Sequence, residues 1–221
     1  MSSRADRISF QPERAQPELK PKMQPAQARA ARTYEEILVA TAQLLEEVGF
    51  ERLSTNLVCE RADVSPPALY RYFPNKYALL HELGQRLMQR QNALISQWVT
   101  PETFAGSPEQ MEQTLSGLLM ATYKLTAETT GGKWIMRALR AVPVLQEVRL
   151  ESHRETAVSV AQLQADAFPD IALDQLLLLN SVAIDLSYAT LEMLFDQPAL
   201  ESSSVTAIAA AMISSYFTRL R

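Results

Sequence analysis

The sequence predicts an all-α protein of nine helices, and three observations carry that expectation. Long stretches are rich in Ala, Leu, Gln and Glu, the residues that cost least in a helix. Apolar residues recur at three- and four-residue spacing, and strictly alternating runs of Val, Ile, Thr and Tyr are missing. Gly is scarce, with 6 in 221 residues. At 47% hydrophobic, a chain of this length can build one sizeable core or two smaller ones.

The elements follow in order from their start and stop signals. Residues 1–30 carry Pro12, Pro17, Pro21 and Pro25 among Gln, Arg, Ala and Ser, with no apolar period, and read as a disordered arm. A first helix runs from Thr33 to Val48, with Thr33 and Glu36 as a capping box and Ile37, Thr41, Leu44, Leu45 and Val48 as its stripe. Gly49 sits where a left-handed cap is wanted. A second helix runs from Ser54 to Ala62, and Asp63-Val64 makes a tight turn. A third starts with Ser65 as cap and Pro66 at its first position, and stops at Phe73 because Pro74 disfavours a helical residue before it. A fourth runs from Asn75 to Trp98. Thr100 to Ser107 reads as a loop. Further helices are expected over Ser107–Glu128, Trp134–Ala141, Pro143–Phe168, Ala172–Phe195 (capped by Asp170) and Ser202–Leu220.

Charge is unevenly placed along the chain. Residues 1–32 hold seven basic and three acidic residues, a net +4 against −4 for the whole, so the remainder carries −8. A basic arm on an acidic body suits a protein that touches nucleic acid at one end only. One cysteine, Cys59, excludes an internal disulfide and a zinc cluster, and points weakly to a reducing, cytoplasmic setting. The N-terminus lacks the apolar stretch of a secretory signal. The most apolar segment, Ile171 to Phe195, is interrupted by Asp174, Gln175, Asn180 and Asp185, and reads as falling short of a membrane span.

The informative block is Gly49 to Lys76, GFERLSTNLVCERADVSPPALYRYFPNK. It reads helix, tight turn, short helix. Leu57, Val58, Cys59, Ala62, Val64, Leu69 and Phe73 are spaced to lock two crossing helices. The outward positions of the short helix are Pro66, Pro67, Ala68, Tyr70, Arg71 and Tyr72. Such a small, aromatic outer face suits a major groove better than open solvent. The helix starts at Ser54 and Ser65 leave N–H groups for phosphate oxygens.

This block resembles the DNA-binding domain of the TetR family over about residues 33–82, with LYRYFPNKYALL as its most specific part. The resemblance implies that Thr55 and Asn56 contact the DNA backbone or a base. It places Pro66, Pro67 and Ala68 at the start of the recognition helix. It makes Tyr70 and Tyr72 groove and phosphate contacts, and Lys76 a phosphate-binding lysine. Arg71 is the best-placed residue for guanine readout, with solvent as the alternative direction of its side chain. Two departures stand out. Asp63 occupies a turn position that is usually Gly, a substitution Asp tolerates better than most residues. Pro66-Pro67 replaces polar residues that could read bases, which shifts weight to thymine methyls and DNA shape.

Residues 83–221 show no catalytic or metal motif, and no cofactor is expected. His81 and His153 have no partner at ligand spacing, and His153 reads as surface or pocket edge. Glu35, Glu36, Glu46 and Glu47 read as a solvated face. The helix over Ala172–Phe195 is apolar on two sides, so one side needs a partner. With the last helix it predicts a four-helix homodimer interface through Leu177, Ile184, Leu191, Ile208, Met212 and Tyr216. The resemblance also implies a pocket for a small-molecule effector, with Trp98, Leu119, Tyr123, Trp134 and Met136 as candidate lining.

Residues 1–30 are thus expected as an arm, 31–82 as the DNA-binding domain and 83–221 as the effector-binding and dimerisation domain. The function this implies is a repressor, not an enzyme, bound to a palindromic double-stranded operator and released by an apolar or amphipathic ligand. Activation in place of repression stays open. The competing readings are a helical interaction module and a helical enzyme. Salt-dependent DNA binding separates the first from both.

Overall fold

The computed structural model describes residues 17–23, 25 and 27–219. Among them there are ten α-helices and no strand. These are α1 Ala28–Arg52, α2 Thr55–Ala62, α3 Pro66–Tyr72, α4 Lys76–Trp98, α5 Pro101–Ala105, α6 Pro108–Glu128, α7 Gly132–Ala141, α8 Gln146–Gln164, α9 Leu173–Asp196 and α10 Ser202–Thr218. A 3-10 turn, Pro143–Leu145, leads into α8.

Several expected boundaries hold for the expected reasons. The Ser54 hydroxyl accepts from Leu57 N at 3.3 Å, and Asn75 Oδ1 accepts from Ala78 N at 3.0 Å. Ser107 and Gln110 form a reciprocal capping box. α3 ends before Phe73, as Pro74 requires. Gly49 has φ 73 and breaks the helical path inside α1, a conformation glycine adopts without strain.

Other boundaries move. α1 begins at Ala28, not Thr33. The Thr33 hydroxyl donates back to Arg29 O and Glu36 pairs with Arg32, so no capping box forms there. The helix-forming run Ala28-Arg-Ala-Ala-Arg32 extends the helix without a side-chain cap. The stretch read as a loop holds α5, which brings the count to ten. Its start is tied by Thr100 N donating to Thr103 Oγ1 at 3.1 Å. α9 is capped at Ala172, not by Asp170. Of the arm, residues 1–16, 24 and 26 lie outside the described residues, as do Leu220 and Arg221. Residues 17–23 run as irregular chain and 28–30 are helical, so a disordered reading does not hold for those segments.

Two cores organise the described chain. The first joins Tyr34, Ile37, Leu45, Val58, Leu69, Phe73 and Leu79 to Ile135, Leu139, Leu145 and Leu191. It therefore runs through α4 across the expected boundary at residue 82. The second gathers Val99, Phe104, Met111, Ala161, Phe168, Leu176, Ile213 and Phe217. α7 fastens the two halves. Gly131, at φ 71, donates its N–H to Glu46 Oε1 at 2.8 Å, and a Cβ there would lie 2.9 Å from Ala42 O. The four glutamates of α1 read as a solvated face are exposed, and each also has a partner: Glu35 with Arg86, Glu36 with Arg32, Glu46 with Gly131 and Glu47 with Arg61.

α9 is long and apolar enough to cross a membrane by length and composition, so its polar interruptions exclude less than the sequence suggests. In the fold it packs as one layer of a helical body. Leu176, Asn180, Tyr188, Leu191 and Leu194 are buried on one side.

Candidate nucleic-acid interface

α2 and α3 cross at a turn made by Asp63. Its φ 51 and ψ 47 are left-handed, and its N–H reaches Cys59 O and Glu60 O. Asp63 is the only non-glycine residue with positive φ among those described. Asp is among the few residues that visit this region without large strain. Val58, Cys59 and Leu69 fill the crossing. Burial pushes the Cys59 thiol above its ordinary pKa, which makes it a small core residue, not a reactive one.

The outer surface brings most of the expected residues together. The hydroxyls of Thr55 and Tyr70 are 2.9 Å apart, so the start of α2 is tied to the middle of α3. Asn56, Ser65, Pro66, Pro67 and Arg71 are exposed, Tyr70 is 41% exposed, and Ser54 and Ala68 are half-buried. The Arg71 guanidinium sits 5.8 Å from the Tyr72 ring centre.

Two assignments change. Tyr72 is only 3% exposed; its ring meets Tyr34 edge-on at 5.6 Å. It belongs to the core beside Phe73, not to the outer face. Tyr34 of α1 packs on both rings and covers them. Lys76 donates to the carbonyls of Phe50 and Leu53, each at 3.2 Å, and lies 4.4 Å over the Phe50 ring. It therefore satisfies carbonyls at the end of α1 and holds α4 to it.

One feature of this surface has no signal in the sequence. Lys22 N donates to Tyr72 O at 2.8 Å, and Asn75 Nδ2 donates to Glu18 O at 2.9 Å. Residues 17–23 therefore strap the end of α3, with Leu19 packed on the core and Lys20 and Lys22 exposed. Backbone pairing of an irregular segment leaves no periodic trace.

The expected pocket residues scatter. A cavity of about 90 Å³ lies between α4, α6, α8, α9 and α10, and of the five named residues only Leu119 lines it. Trp98 closes over Gly117, where a Cβ would lie 2.2 Å from the indole. Tyr123 stacks on Phe195 at 5.0 Å. Trp134 lies under the Arg137 guanidinium at 4.8 Å. Met136 is buried behind Gln91. Phe104, Met111 and Leu115, which lie in the same apolar region, do line the cavity, and the residues missed are Ile213, Phe217 and a polar set on α4, α6, α8 and α9. His153 is buried, not superficial. Its ring is 4.3 Å from that of Tyr188. Burial, and next the nearby Arg149 charge, lower its pKa to about 4 against the pull of Asp185, so it is neutral near pH 7.

The expected interface residues divide. Ile208, Met212 and Tyr216 form an exposed apolar row on α10, at 62%, 70% and 48%. Leu191 is buried, and Leu177 and Ile184 are half-buried against the two cores. The exposed row of α9 is instead Leu178, Val182 and Leu186.

Comparison with known proteins bears on the same segment. Residues 37–83 match the family model of the bacterial regulatory proteins of the tetR family. The chain is 39% identical over 56 residues to a class G tetracycline repressor protein from Vibrio anguillarum, a stretch covering 25% of this chain and 27% of that one. It thus spans about a quarter of the length of the curated relatives it matches. The fold extends further. A TetR-family transcriptional regulator from Streptomyces coelicolor superposes with a TM-score of 0.59 at 23% identity, over 86% of this chain and 99% of the other. RolR in complex with resorcinol superposes at 0.56 and 14%, over 87% and 94%. A segment that matches the tetR family model is therefore carried on a body that shares its fold with solved TetR-family regulators.

Proposed function

We propose that this protein is a sequence-specific DNA-binding transcriptional regulator of the cytoplasm, a homodimeric repressor that leaves a palindromic operator when a small apolar or amphipathic molecule binds. The observation that carries the reading is the outer face of α3. Pro66, Pro67, Tyr70 and Arg71 stand exposed on a short helix whose inner face is locked by Leu69 and Phe73, with Thr55 and Asn56 beside them. A rigid helix with an exposed, mostly uncharged face fits the major groove. The relative from Vibrio anguillarum is named a repressor, and RolR holds resorcinol, which support the control by a ligand.

Release by a ligand has a physical route. A cavity of about 90 Å³ is smaller than sites that hold small organic molecules, so occupancy must spread the helices around it. α4 lines the cavity and enters the helix-turn-helix core, and α7 ties the body to α1 through Gly131 and Glu46. A ligand that binds the spread state better shifts the population away from the DNA-bound arrangement.

The test is Tyr70→Ala in a DNA titration. The substitution removes the exposed ring and the hydroxyl that meets Thr55 and touches no core residue. Operator affinity falls about tenfold while thermal stability changes little. Unchanged affinity removes α3 from the interface. Lys76→Ala lowers stability as well as affinity, because it frees the Phe50 and Leu53 carbonyls.

A further inference from the structure

The polar groups around the cavity are nearly all committed to hydrogen-bond partners within the protein. Tyr188 donates its hydroxyl to Gln91 Oε1 at 2.5 Å, and Gln91 Nε2 donates to Thr126 Oγ1 at 2.8 Å. Thr122 and Ser187 donate to backbone carbonyls of their own helices, and Thr156 donates to Asn92 Oδ1. Gln164, at the end of α8, differs. It is fully buried and lines the cavity, and its Nε2 has no hydrogen-bond partner among the described residues.

The orientation of that amide follows from its neighbour. Asn180 Nδ2 donates to Leu176 O at 2.8 Å, and a carbonyl can only accept. The same Nδ2 faces Gln164 at 2.6 Å, so Gln164 must present its oxygen there. Its NH2 group is then the unsatisfied end. A buried donor without a partner is destabilising, and an incoming acceptor recovers that loss. The remaining wall is apolar, and among the described residues no Asp, Glu, Lys, Arg or His lines the cavity. An ionised ligand would be buried without a counter-charge.

We infer that the ligand of this cavity is an uncharged molecule with an apolar body and a carbonyl-type oxygen, which accepts a hydrogen bond from Gln164 Nε2. The apolar body lies among Phe104, Met111, Leu119, Ile213 and Phe217. The inference rests on the effector-controlled reading above for the role of the cavity, and its ligand chemistry is tested apart from DNA.

Calorimetric titration of the full chain with three probes of one size decides it: acetophenone, ethylbenzene and benzoate. Acetophenone binds, and benzoate at pH 7 does not. Gln164→Met, which keeps the length of the side chain, weakens acetophenone about tenfold and leaves ethylbenzene within about twofold. Benzoate binding as well as acetophenone, an equal effect of Gln164→Met on both neutral probes, or no binding by any probe overturns the inference. If Gln164→Met loses its helical signal, the ranking of the three probes on the unaltered chain still decides. Acetophenone that binds but leaves the DNA complex intact upholds the ligand chemistry and removes the effector role. Ligand binding in a chain that does not bind DNA at all removes the regulator reading alone.

Discussion

Met212→Asp is expected to convert the proposed homodimer into a monomer and to lower affinity for the proposed operator by about two orders of magnitude or more. Met212 is 70% exposed on α10, between Ile208 and Tyr216, and the neighbouring α9 offers Leu178, Val182 and Leu186. Exposed apolar rows on two packed helices mark a surface that another chain covers. A carboxylate at its centre would be buried on association without a partner, at a cost of several kcal/mol. The DNA effect follows from linkage. A dimer engages its second half-site intramolecularly, an advantage of about 10²–10⁴ over a single head. Sedimentation analysis reads the first effect and DNA titration the second. A variant that stays dimeric excludes this face as the interface. Leu191→Asp gives no clean answer, because Leu191 is buried in its own fold.

Phe73→Ala destabilises the fold by about 3–5 kcal/mol, the range for deleting a buried aromatic ring. Phe73 is fully buried, packs on Tyr34 at 4.8 Å between ring centres, and caps α3. α3 has seven residues, too few to hold a helix by itself. Its position therefore depends on Leu69, Tyr72 and Phe73, and DNA binding declines with stability. Urea unfolding measures the change. A loss under about 1 kcal/mol would show that α3 is held by other contacts.

Three helix starts were legible from the side chains that cap them. Ser54, Asn75 and Ser107 each accept the backbone N–H that the pattern demands. Ala28 was not legible, because Gln27 makes no capping bond and helix propensity alone extends α1. α5 was missed because five residues carry no period. Tyr72 was placed outward by its spacing, but Tyr34 of α1 packs on it as well as on Phe73, a contact between distant segments that leaves no local mark. On α9 the sequence offers two apolar stripes, and the buried side draws on both of them. The fold gives Leu176, Tyr188 and Leu191 to the inside and Leu178, Val182 and Leu186 to the outside. Pocket residues failed for a related reason. Trp98 and Tyr123 find partners in Gly117 and Phe195, and such pairings between distant helices leave no local mark.

That α2 and α3 bind DNA is tested most directly by titrating the full chain with duplex DNA from the region upstream of its own gene, at salt concentrations from about 50 to 200 mM. The account predicts an affinity that falls linearly on a log–log plot, with a slope of about −0.9 for each phosphate contacted. Binding that is absent at the lowest salt, or whose slope is near zero, would contradict it.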